Sequence, residues 1–255
     1  MVSTVKKSAV VLLACFVIII CSSNKKHPYQ NKKTGRVTIS FINTVKSVPL
    51  VLDSVEYSNP FGEAYHVTKL KYYISNIKLN ATQHSFAEPG SYHLLDAGEP
   101  SSLSFAIDAA ANTYNSISFI AGVDSIKNVS GAQSGALDPA NGMFWTWNSG
   151  YVMFKLEGNS PASTIINDRI EYHIGGFSGP NNVLQLITLS LPAALHVQEG
   201  KNCDIFITAD IDKLWQGVSD LKITTTPATM APGVLSKKIA DNYNRMFTIK
   251  EMHNN

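Results

Sequence analysis

Cysteine is almost missing from this chain. Three occur in 255 residues, and two of them, Cys15 and Cys21, sit in or beside an apolar N-terminal run, leaving Cys203 alone in the rest. A disulfide framework is therefore excluded, and so is a metal centre built on paired thiolates. Charge is scarce as well: Asp, Glu, Lys and Arg make up 16% of the chain, with a formal net charge of +2. That balance lacks the basic surface a nucleic-acid partner needs. No glycine-rich phosphate loop, paired-histidine zinc helix or nucleophile elbow is present, so no familiar enzyme signature emerges and hydrolase chemistry would have to be assembled from scattered residues. Helical periodicity is sparse and internal repeats are absent, which leaves strands to build the core.

At the N-terminus, Lys6 and Lys7 precede an unbroken apolar run from Ser8 to Ile20, followed by Cys21-Ser22-Ser23-Asn24-Lys25-Lys26. A basic start and about a dozen apolar residues make a secretory signal, since comfortable bilayer crossing takes ~20. Residues 1–21 thus read as a lipoprotein-type signal with Cys21 as the lipid-bearing residue. Leu12-Leu13-Ala14-Cys15 is a cleaner local match but leaves a very short apolar segment. Residues 22–35 are polar and lysine-rich, suiting a tether. The expectation is an exported protein of the periplasm or outer membrane, held to the membrane by a lipid anchor.

From residue 36 to 255, short alternating segments follow one another: Val37, Ile39 and Phe41; Leu70, Tyr72 and Ile74; Ile117, Phe119 and Ala121; Ile170, Tyr172 and Ile174; Cys203, Ile205 and Ile207. Gly, Pro, Asn, Asp or Ser bound each one. The spacing predicts one all-β domain, an antiparallel β-sandwich or open barrel, in which Cys203 is a core thiol. One short C-terminal helix is predicted, capped by Ser236 and carrying Ile239, Ala240, Tyr243, Met246 and Phe247 on its apolar face. A short turn is expected around Ile211 to Trp215.

The segment LDPANGMFWTWNSGYVMFKLEG, Leu137 to Gly158, is the most unusual part of the chain. If Met143 to Glu157 is one strand, Trp145 and Trp147 share a face with Met143, Tyr151 and Met153, while Phe144, Val152, Phe154 and Leu156 line the other. A core strand explains this pattern on packing grounds alone. Asp124 and Asp138 offer oxygen ligands but suit turns better. His173 lies opposite Tyr172 and Ile174, immediately before Gly175-Gly176, which permits close backbone approach. Met252-His253 closes the chain, and imidazole and thioether together favour Cu(I) or Cu(II) over hard cations.

These segments, in order, resemble the MbnP-like family of secreted copper-binding β proteins. The likeness is carried by Lys71 to Ile77 (KYYISNI), Gly122 to Ser125 (GVDS), the tryptophan block, Tyr172 to Phe177 (YHIGGF), Ile239 to Tyr243 with Met246-Phe247, and His253-Asn254. The resemblance implies a bound copper ion, histidine ligands, and a tryptophan that a di-haem cytochrome c peroxidase-like partner oxidises to kynurenine, whose amine helps ligate the metal. Transferred to this chain, His173 and His253 become the ligands, with Met252 in place of a missing second histidine. Trp145 or Trp147 becomes the oxidised residue. The alternative is an envelope interaction or glycan-binding module that uses the two indoles as a stacking platform.

Overall fold

The computed structural model describes residues 33–147 and 150–255. The expected signal, with Cys15 and Cys21, and nearly all of the tether lie outside the described residues, so the lipidation site does too. Nine longer strands build the body: β1 (Thr34–Val45), β2 (Ala64–Asn80), β3 (Ser104–Ala110), β4 (Asn112–Ala121), β5 (Gly150–Asn159), β6 (Arg169–Gly175), β7 (Gln185–Val197), β8 (Asn202–Asp210) and β9 (Phe247–Asn254). They form two sheets. In the first, β9, β8 and β1 are neighbours in that order, and β3 also pairs with β1. In the second the order is β7-β4-β2-β5-β6, with the short strand Ala228–Thr229 beyond β6.

The alternation read from the sequence is the cause of this layering. Val37, Ile39 and Phe41 on β1 stand opposite Cys203, Ile205 and Ile207 on β8, and all six are buried. Phe41 then crosses between the sheets, its ring 6.4 Å from Tyr72 on β2 and 5.9 Å from Phe119 on β4. Burial also pushes the Cys203 thiol pKa up, as expected of an inert core sulfur.

The all-β sandwich is as expected, but the sheets are mixed. β1 and β8 run parallel, as do β6 and Ala228–Thr229. Side-chain alternation marks which face is buried and carries no information on strand direction, which is set by the connections. The C-terminal helix is present as α1 (Val234–Tyr243), with Ile239, Ala240 and Tyr243 buried. Its N-cap is Gly233 rather than Ser236. Ser236 lies inside the helix, fully buried, and its hydroxyl donates to Ala231 O at 2.6 Å. Phe247 already belongs to β9. The turn after β8 appears as a single 3-10 turn, Ile211–Leu214. Among the described residues no helix is long and apolar enough to cross a membrane.

Candidate functional site

The tryptophan block is a hairpin and not one strand. Phe144–Trp145 pairs antiparallel with the start of β5, Trp145 opposite Gly150 and Phe144 opposite Tyr151. The chain therefore reverses between Trp145 and Gly150, against the continuity that the apolar alternation predicts. The reversal separates the two indoles by environment. Trp145 is 7% exposed and Trp147 is 65% exposed, with ring centroids 5.4 Å apart and planes tilted by 41°.

Several polar contacts hold the hairpin. Val152 N donates to Met143 O at 2.9 Å, and Tyr151 N donates to the buried Asn128 Oδ1 at 2.9 Å. Lys155 Nζ donates to Gly142 O at 2.6 Å. Asp138 caps the preceding turn by accepting from Ala140 N at 2.8 Å, and Gly142 ends that turn at φ +69. Asp124 caps the short helix Ser125–Asn128 and also accepts from Asn76 Nδ2 at 3.0 Å and from the Tyr92 hydroxyl. Both aspartates therefore serve turns.

Trp145 lies against the backbone of β6. A β-carbon on Gly175 would come within 2.4 Å of Trp145 Cζ3 and 2.7 Å of Cη2, so glycine is what lets the indole reach the sheet. His173 is two residues earlier on β6, on the same side as Gly175. It stands opposite Lys155 of β5. His173 Nε2 is 2.9 Å from Glu157 Oε1, and Lys69 Nζ donates to Glu157 Oε2 at 2.7 Å. Lys155 Nζ lies 4.0 Å from Glu157 Oε1.

Burial, and then the nearby Lys155 cation, lower the His173 pKa against the pull of Glu157. Burial works the other way on Glu157, but hydrogen bonds from Lys69 and His173 overcome it and hold the carboxyl below its usual range. An ionised carboxylate only accepts, so His173 Nε2 carries the proton and Nδ1 keeps a lone pair. A neutral, carboxylate-oriented imidazole is the form that binds a metal. The methionines beside the tryptophans are otherwise engaged: Met143 is buried, and Met153 Sδ accepts from Val123 N at 3.2 Å.

His253 and Met252 are not brought to this place. Both lie on β9 in the first sheet, where His253 stands opposite Asp204, its ring 5.7 Å from Phe206 and its Nε2 3.9 Å from Glu251. Asn254 accepts from His196 N at 2.8 Å and donates to Ala194 O at 3.0 Å, pinning β9 beside β7. β7 and β6 are separated by β4, β2 and β5. The expected ligand set of His173, His253 and Met252 around one ion does not form, because strand order places their elements at different edges. Among the described residues no group of three or more His, Cys, Asp or Glu is arranged to hold a metal ion.

Glu157 and Lys69 escaped the sequence reading. The signal was there in Lys69-Leu70-Lys71 and Lys155-Leu156-Glu157, where charges alternate with core leucines on adjacent strands. Beside Trp145, on the side formed by Gly150, Gly176, Phe177, Pro180, Asn181 and Pro232, an open cavity of about 320 Å³ reaches the indole.

A two-sheet β domain with paired, unequally exposed indoles, the buried one packed on the strand that carries a carboxylate-bound histidine, defines the class. The chain belongs to the MbnP family, whose model matches residues 34–232, and that family is associated with copper and methanobactin systems. Among solved structures it is similar to MbnP from Methylosinus trichosporium, at 12% identity over 68% of this chain and 76% of the other, with a TM-score of 0.44. No curated protein matches the chain.

Proposed function

We propose that this is an exported, lipid-anchored copper-binding protein that stores, acquires or delivers the metal in the periplasm or at the outer membrane. On this reading it is not an enzyme. A di-haem cytochrome c peroxidase-like partner supplies the oxidising chemistry and converts one tryptophan of the hairpin to kynurenine. The observation that carries the proposal is the His173 imidazole, held by Glu157 at 2.9 Å and lying on the same strand face as the glycine that seats Trp145. Copper enters as cargo, with His173, through the Nδ1 lone pair left by the Glu157 hydrogen bond, as its protein ligand. An indole offers only an N–H donor, whereas kynurenine adds an aniline-type nitrogen and a carbonyl, so modification next to His173 would turn a packing residue into a coordinating one.

Membership of the MbnP family supports this reading over a glycan-binding module. A stacking platform needs both rings open to solvent, and Trp145 is nearly buried, its ring against Gly175. Metal analysis of the purified protein tests the proposal. Near-stoichiometric copper is expected in the wild type, with loss in His173→Ala. Unchanged copper in that variant would overturn the ligand assignment.

A further inference from the structure

The two indoles divide between them the properties that oxidation at this site needs. Trp147 is the ring an external macromolecule can touch, at 65% exposed, but Trp145 is the ring seated on Gly175 on the histidine side of β6. Their centroids are 5.4 Å apart, with ring planes tilted by 41°. We infer that Trp147 is an electron relay: it gives an electron to a surface oxidant and is refilled by Trp145, so that the oxidised site is the buried ring beside His173. The use of this relay in the cell rests on the reading above; the relay itself depends only on the hairpin.

Each transfer balances simply. A one-electron oxidant, a high-valent haem or a ruthenium(III) polypyridyl complex, is reduced by one electron while the Trp147 indole becomes a radical cation. An electron then passes from Trp145 to Trp147, restoring Trp147 and leaving the radical cation on Trp145. Burial penalises that charge, which by itself would return it to the exposed ring. The open cavity of about 320 Å³ that Trp145 lines is large enough for water, which would take the indole N–H proton. The neutral radical that remains carries no charge for burial to penalise, so proton loss traps the oxidation inside. Two such electron transfers and one water yield hydroxytryptophan: two electrons go to two oxidant molecules, two protons go to solvent, and a ring C–H becomes C–OH.

The test uses the whole purified protein without copper and without any haem partner. Photogenerated ruthenium(III) tris(bipyridine), too bulky to enter the cavity, is the oxidant, and fragment mass spectra locate the added oxygen on Trp145 or Trp147. Oxygen on Trp145 is expected in the wild type, and its loss to the unilluminated background is expected in Trp147→Phe. Trp147 is exposed, so this variant keeps the fold; unchanged far-ultraviolet circular dichroism checks it. Equal oxygen addition at Trp145 in Trp147→Phe, or oxygen confined to Trp147 in the wild type, would overturn the relay. Because no metal is present, either result leaves the copper assignment to be judged by the His173→Ala metal analysis.

Discussion

At the scale of single residues, His173 and Glu157 set the chemistry of the face and predict how it responds to pH. The folded pKa of His173 is lowered from its ordinary 6.5. Just below pH 6.5 the unfolded chain therefore binds a proton at this residue that the folded chain resists. The unfolded state then holds more protons, and stability falls as pH drops through that window. Glu157 acts at lower pH: its contribution is present above the ordinary carboxylate value of 4.5 and is lost as pH falls through its depressed folded value. In the metal-free protein, His173→Gln should remove the first decline and leave the second. Denaturant midpoints measured across this range check it, and an unchanged slope just below pH 6.5 in the variant would contradict the assignment. Gly175 gives a steric prediction. Its Cβ position is 2.4 Å from the Trp145 ring, so Gly175→Ala should displace the indole and cost about 1–3 kcal/mol. A red-shifted tryptophan emission would accompany the loss, and an unshifted spectrum at full stability would argue that the ring is not held there.

Among the elements, the hairpin shows what sequence patterning reads and what it misses. Alternation correctly marked Val152, Phe154 and Leu156 as core positions, and all three are buried. It missed the reversal between Trp145 and Gly150, because Trp, Phe, Tyr and Met keep the pattern apolar on both sides of it. The helix was legible for the same reason that its cap was not: Ile239, Ala240 and Tyr243 recur at helical spacing, whereas Ser236 is drawn to Ala231 O by burial. Asn76 in the KYYISNI segment and Asp124 in the GVDS segment meet at 3.0 Å, so those motifs read as structural supports for the hairpin's surroundings. Asn128 is the direct support. It accepts from Tyr151 N and donates to Val123 O at 2.6 Å. Asn128→Ala would leave a buried N–H unpaired, at a cost of about 1–3 kcal/mol. Amide exchange at Tyr151 should accelerate in that variant, and unchanged protection there would show that the hairpin is held elsewhere.

At the scale of the whole molecule, strand order decides which distant residues can cooperate. Faces of strands were legible, and so the two-layer body followed from residue spacing. Neighbour relations across sheets were not, and the ligand set that joined His173 to His253 failed for that reason: β9 docks on β8 and beside β7, while His173 lies on β6. The same topology gathers Lys69, Glu157, Lys155 and His173 from three strands into one polar network outside the core. On the proposed function, copper meets the protein at His173, on the strand against which Trp145 packs. Trp145, packed on Gly175 two residues along the same strand, would report on copper there, because paramagnetic Cu(II) quenches a nearby indole. The decisive measurement is a Cu(II) titration of tryptophan fluorescence in the wild type, His173→Ala and His253→Ala. Saturable quenching is expected in the wild type and in His253→Ala and should vanish in His173→Ala. Quenching that survives in His173→Ala but disappears in His253→Ala would contradict the site.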